Sequence, residues 1–101
     1  MINPMKIMYP AVYILANKRH GTLYTGVTSN LIKRVYEHKN AATEGFTKKH
    51  HCNLLVFFEM HGTMEQAITR EKQIKAGSRI KKLCLIDTHN PLWNDLYYEL
   101  L

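Results

Sequence analysis

Cysteine is scarce in this 101-residue chain: Cys52 and Cys84 stand far apart, and no CxxC pair is present. Both read as reduced thiols of a cytosolic protein, which sets the expected localisation as cytoplasmic. Long apolar runs are also missing. None approaches the length needed to span a bilayer, so no membrane partner is expected. The first residues, Met1 to Met8, are too short and too interrupted for a signal-peptide core. There is no low-complexity tract and no internal repeat. Acidic residues are in short supply, with 8 Asp and Glu against 14 Lys and Arg, giving a net charge of +6 and a pI near 9.5. A small basic domain points to a polyanionic partner, nucleic acid before an anionic membrane surface. The length sets one domain, residues 1–101, able to bury one modest core.

What is present follows an α+β pattern. Tyr9 to Ala16 is rich in β-branched and aromatic residues and reads as a strand. Asn17 to Gly21 reads as a hairpin connection, and Thr22 to Val27 as the return strand. Pairing Ala16 with Gly21 would set Tyr13 directly opposite Tyr24, both rings on one face; a slip of one residue would part them. Thr28-Ser29-Asn30 supplies an N-cap for a helix from about Leu31 to Asn40. At about 100° per residue, Leu31, Val35 and His38 share an arc with Arg34 at its edge. Ala41 to Asn53 reads as a loop. Leu54 to Phe58 is a continuous apolar run that suits a strand covered on both faces.

Thr63-Met64-Glu65-Gln66 forms a capping box, and Gly77 suits a helix C-terminus. The helix between them has Met64, Ala67, Ile68 and Ile74 as its apolar arc, with Glu71 near the middle of it, about 40° from Ala67. Ser78 caps a further helix with Ile80, Leu83, Cys84 and Ile86 as apolar positions, bounded by Pro91. Trp93 anchors a closing segment. The order is β-β-α-β-α-α around a small antiparallel sheet.

Several residues have chemistry to offer. A carboxylate amid an apolar face is costly unless compensated, so Glu71 is either a metal ligand or catalytic group, or one half of a structural pair with a Lys or Arg. Arg34 could bind two phosphate oxygens at once, or be an ordinary surface arginine. His38 could be a base near neutral pH, or a hydrogen-bonded residue at the core edge. Tyr13 and Tyr24 could be sheet-packing aromatics, or donors to a phosphate and acid–base groups. Gly26 within a strand signals a close backbone approach or a bulge. His50-His51-Cys52 lacks a complementary pair for a metal site. Arg70, Lys72, Lys75, Arg79, Lys81 and Lys82 place six cations within thirteen positions, enough to steer a nucleic-acid backbone or to solvate a helix face.

Together these residues resemble the GIY-YIG nuclease family, in particular its small stand-alone bacterial members. Val12-Tyr13-Ile14 and Tyr24-Thr25-Gly26 look like its two signatures. Leu31 to His38 looks like its arginine helix, Arg70 to Lys75 is similar to the segment with its metal-binding glutamate, and Asn90 to Leu96 looks like its closing segment. The match covers residues 9 to 97. Ala11 stands where the first signature has glycine, and Val27 where repair-type members have lysine.

The resemblance implies a three-stranded antiparallel sheet flanked by helices. It implies DNA phosphodiester hydrolysis on structured or single-stranded DNA, in repair or recombination, with one Mg²⁺ or Mn²⁺ ion held by Glu71 and no small-molecule cofactor. Arg34 would grip the scissile phosphate, Tyr13 would activate or position the water, Tyr24 would support the phosphate, and His38 could share the base work. It favours a register with both tyrosines on one face, and places Gly26 and Asn94 as structural residues near the site. Lys48, Lys49, Arg70, Lys72, Lys75, Arg79 and Lys82 are then the expected DNA contacts. The alternative is a non-catalytic nucleic-acid-binding module that keeps the fold.

Overall fold

The structure, a computed structural model, describes residues 9–40 and 45–101. The N-terminal residues Met1 to Met8 and the first part of the expected loop, 41–44, lie outside the described residues. The elements are β1 (Ala11–Ala16), β2 (Leu23–Thr28), α1 (Leu31–Lys39), α2 (Phe46–His50), β3 (Leu54–Met60), α3 (Met64–Ala76), α4 (Arg79–His89) and a closing 3-10 turn (Leu96–Glu99). The three strands form an antiparallel sheet in the order β2-β1-β3. The α+β class and the β-β-α-β-α-α order are as the sequence indicates. The short helix α2 and the 3-10 turn are additions, α2 standing where a loop is expected.

β1 is the central strand, and every one of its residues is buried. Its alternation divides the core. Ala11, Tyr13 and Leu15 face a cluster with Leu31 and Val35 of α1, Cys52, Leu55, Tyr97 and Leu100. Val12, Ile14 and Ala16 face the opposite cluster, with Val56, Phe57, Ile74, Ile86 and Trp93. Strand periodicity thus serves two cores, each covered by its own helices.

Both tyrosines lie on one face, as the resemblance implies, but the register is neither the Ala16–Gly21 pairing nor its one-residue slip. Ala16 pairs with Leu23, Leu15 with Tyr24 and Tyr13 with Gly26. The tyrosines therefore share a face but sit diagonally. The cause lies in the connection, which spans Asn17 to Thr22 and closes on itself. Asn17 Oδ1 accepts the Thr22 N–H at 2.8 Å, and the Gly21 N–H donates to the Lys18 carbonyl at 3.0 Å. The Arg79 guanidinium then binds the His20 and Gly21 carbonyls at 2.7 and 2.8 Å.

The apolar run of β3 is covered on both faces as expected, although β3 is an edge strand. A bulge between the Ile14 and Leu15 pairings leaves Val56 as the extra residue, so that Val56 and Phe57 both reach the second cluster while Leu55 reaches the first. The closing segment protects the edge. Asp95 Oδ1 accepts the Leu55 N–H at 3.2 Å, and Asn90 Nδ2 donates to the Val56 carbonyl at 3.1 Å. Lys39 pairs with Asp95 and ties α1 to this segment. Trp93 is buried, with its indole N–H on Asp87 at 2.6 Å, and is the expected anchor.

The caps behave largely as read. Asn30, Thr63 and Ser78 accept the backbone N–H groups of Lys33, Gln66 and Lys81. Gly77 follows α3 with φ −74°, so it is not in the left-handed cap conformation and passes directly into the Ser78 cap. In α4, Ile80 is 72% exposed and Cys84 is exposed, whereas Ile86 is buried with Leu83 and Leu85 beside it. The helix leans on the sheet through its C-terminal half, so its first turn has no core to face. Met64 is likewise exposed at the start of α3.

Candidate active site

The central strand aims Tyr13 at the α1 side of the sheet, and Gly26 makes room for it. A Cβ built on Gly26 would lie 2.6 Å from both Cζ and Oη of Tyr13, so the ring rests against bare β2 backbone. The close approach expected at Gly26 is the Tyr13 ring itself. From α1, His38 reaches the same place. Its Nε2 lies 3.1 Å from the Tyr13 hydroxyl, and its Nδ1 lies 3.0 Å from Thr47 Oγ1 on α2. All three side chains are buried, with Tyr13 at 1%, Thr47 at 5% and His38 at 7% exposure. Among the described residues no buried side-chain nitrogen or oxygen lacks a hydrogen bond.

Tyr24 completes an aromatic group. Its ring lies 6.3 Å from that of Tyr13, 5.7 Å from His38 and 6.1 Å from Phe46, stacked with the last. Arg34, one turn before His38, is half-exposed and holds Glu37 at 3.6 Å. Its guanidinium is near enough to act on both Tyr13 and His38. Glu71, from α3, also comes within electrostatic range of Tyr13. Its side chain is only 14% exposed and pairs with Lys75 at 3.3 Å.

The environment sets the protonation states. Burial pushes the Tyr13 phenol up to about 12; the nearby Arg34 works against that, while Tyr24 and Glu71 add to it. Burial, then the Arg34 charge, holds His38 down to about 4. At neutral pH the site therefore contains a neutral phenol hydrogen-bonded to a neutral imidazole.

Glu71 is a lone carboxylate. Among the described residues no group of three or more His, Cys, Asp or Glu is placed to hold a metal ion. A single carboxylate nevertheless fits a hydrated Mg²⁺, which keeps several waters and is commonly bound through one or two carboxylates plus substrate phosphate oxygens. Glu71 Oε2 pairs with the half-exposed Lys75 ammonium, the structural pair that the sequence leaves open for this carboxylate, so a metal ion would have to displace that lysine.

The basic residues divide by location. Lys75, Arg79 and Lys82 line an open cleft of about 540 Å³ together with Thr22, Tyr24 and Phe46. Arg79 and Lys82 also brace the fold, the first through the hairpin carbonyls and the second through the Gly77 carbonyl at 3.1 Å. Lys48 and Lys49 are exposed on α2, and Lys72 is exposed on α3. Arg70 binds Glu59 at 3.1 Å and borders separate grooves away from Tyr24. Asn94 is exposed in the closing turn; its backbone N–H and carbonyl bind the buried side chain of Asn90, which does the organising there. His50, His51 and Cys52 diverge. His50 packs on Phe46, His51 ends α2 in the left-handed region with φ 57°, and Cys52 is buried with its thiol towards the Thr22 carbonyl.

Thr47 and Phe46 are the site residues that sequence reading misses. No local periodicity marks them; the only available signal is that a buried His38 needs a partner for its second ring nitrogen.

Residues 9–83 match the GIY-YIG catalytic domain. A UPF0213 protein of Staphylococcus saprophyticus is 41% identical over 75 residues, which is 74% of this chain and 90% of that protein. A UPF0213 protein of Clostridium perfringens is 40% identical over 77 residues, 76% of this chain and 82% of that protein. The solution NMR structure of a UPF0213 protein from Bacillus halodurans superposes with a TM-score of 0.55 at 27% identity, covering 87% of this chain and 93% of that one. With the domain match running through both tyrosines, the arginine helix and Glu71, the chain belongs to the GIY-YIG family, whose catalytic domain points to a nuclease.

Proposed function

We propose that this protein is a divalent-metal-dependent endonuclease that hydrolyses phosphodiester bonds of structured or single-stranded DNA, in repair or recombination. The observation that carries the reading is the buried Tyr13–His38–Thr47 chain, with Arg34 and Glu71 within electrostatic range of Tyr13. A module that only binds nucleic acid has no use for a desolvated proton-transfer path, which costs stability to bury.

Arg34 grips the scissile phosphate and stabilises the charge that develops on it. Tyr13 orients the attacking water. As the water oxygen bonds to phosphorus, its proton passes to the Tyr13 oxygen and the phenol proton passes to His38 Nε2. The bond from phosphorus to the leaving oxygen breaks, and that oxygen takes a proton from solvent. This relay needs no free phenolate, which matters because Tyr13 is held near 12. His38 is a weak base while no phosphate sits on Arg34. A phosphate bound to Arg34 offsets one of the two influences that hold its pKa down. Thr47 keeps the imidazole turned towards Tyr13. Glu71 would hold one Mg²⁺ or Mn²⁺ ion, whose chemistry when bound is polarisation of the phosphoryl oxygen and stabilisation of the leaving oxygen.

The test is a screen of single-stranded, nicked, flapped and branched DNA for cleavage with Mg²⁺ or Mn²⁺. The wild type should cleave at least one of these, and Arg34→Ala should lose the activity while melting like the wild type. Salt-sensitive binding without cleavage of any substrate would replace the enzyme with a binding module.

A further inference from the structure

Phe46 has no part in the chemistry above, yet it is 45% exposed at the edge of the site. It sits at the start of α2, one residue before Thr47. Its ring is stacked with Tyr24 at 6.1 Å with an interplanar angle of 28°, and His50 packs against it at 4.3 Å. The ring is thus held in place by two neighbours and still open to solvent. It borders the cleft that Lys75, Arg79 and Lys82 also line. That cleft, at about 540 Å³, is in the size range that takes a small organic ligand.

We infer that Phe46 is a stacking platform for one unpaired nucleobase, with its flanking phosphates held by Lys75, Arg79 and Lys82. Binding to single strands characteristically combines a basic groove along the backbone with aromatic rings under the bases. Here the two features line one cleft. The geometry also selects against a continuous duplex. In paired DNA the base faces are stacked on each other, so a flat ring finds a free face only where the strand is unpaired or a base is turned out. The inference rests on the nuclease reading only for what happens next to the platform; the binding stands apart from it.

The experiment measures binding in metal-free buffer, so that no strand is cut. The probes are a mixed-sequence single-stranded oligonucleotide carrying one 2-aminopurine, and a duplex of the same sequence. The wild type should bind the single strand more tightly than the duplex and quench the 2-aminopurine. Phe46→Leu, which keeps the apolar bulk but not the flat ring, should bind the single strand about tenfold more weakly and quench less, with little change for the duplex. Phe46→Trp should restore both, and matched melting curves for all three proteins confirm that α2 is intact. Equal single-strand affinity for Phe46→Leu and wild type would overturn the platform, even if cleavage still depends on Arg34. A platform that survives in a protein that cuts nothing would instead defeat the nuclease reading alone.

Discussion

The two faces of the sheet are built from alternate residues of the same strand, but they are not equivalent. The face towards α3 and α4 gathers Val12, Ile14, Ala16, Val56, Phe57, Ile74, Ile86 and Trp93. The face towards α1 has aliphatic residues as well, but it also buries a phenol hydroxyl, an imidazole and a threonine hydroxyl in one hydrogen-bonded chain. Desolvating such groups returns little net stability even when each is bonded. The first arrangement is what stability alone would select. On the proposed function, the second is explained by what the chain can do beside Arg34 and Glu71. The contrast teaches that one face supplies rigidity and the other uses it.

Substitutions can break that contrast from either side. The largest expected effect is on the apolar face. Phe57→Ala should cost about 3–5 kcal/mol in denaturant unfolding, while cleavage per folded molecule stays near wild type. On the other face the balance should invert. Tyr13→Phe removes one oxygen and should lower cleavage by about 10²-fold or more, for a stability change of about 1 kcal/mol. A Tyr13→Phe protein that cuts normally would take the phenol out of the reaction.

Gly26→Ala probes the join between the two roles. The added methyl would meet the Tyr13 ring and hydroxyl at 2.6 Å, so ring or strand must shift. The expected cost is about 1–3 kcal/mol, together with a drop in cleavage from the displaced hydroxyl. A fully active Gly26→Ala protein would mean that the position of Tyr13 is not critical.

The remaining effect is on pH-dependent stability. His38 has its folded pKa lowered to about 4 from an ordinary 6.5, so between those values the unfolded chain binds the extra proton more readily. The stability due to keeping His38 neutral is complete above about pH 6.5 and is lost as pH falls through that window towards 4. The melting temperature should fall by about ten degrees or more there, and His38→Gln should flatten that part of the profile.

Much of this was legible in the chain, and the gaps have physical causes. Local signals carried the elements: the apolar run of β1, the Asn30, Thr63 and Ser78 caps, and the helical phase that sets His38 on the buried side of α1. The hairpin register was not legible, because it depends on Arg79, far away in sequence, holding the loop carbonyls. Which strand is central could not be read from two similar apolar runs. The over-long apolar arc assigned to α4 failed at Ile80 because periodicity shows where apolar residues align, not how far the sheet extends beneath them. Tyr13, Tyr24, Arg34, His38 and Glu71 come as a set from the resemblance, and the fold brings Tyr24, Arg34, His38 and Glu71 within range of Tyr13. Phe46 and Thr47 do not, because their roles come from a five-residue helix whose meaning is entirely tertiary.

The central claim is that this face hydrolyses phosphodiesters with Glu71 as its metal-holding carboxylate. The most direct measurement is single-turnover cleavage of a DNA substrate in Mg²⁺ by wild type and Glu71→Gln, with melting curves matched beforehand. The account predicts a loss of about 10²- to 10³-fold or more in rate with the fold intact. Equal rates in the two proteins would contradict it.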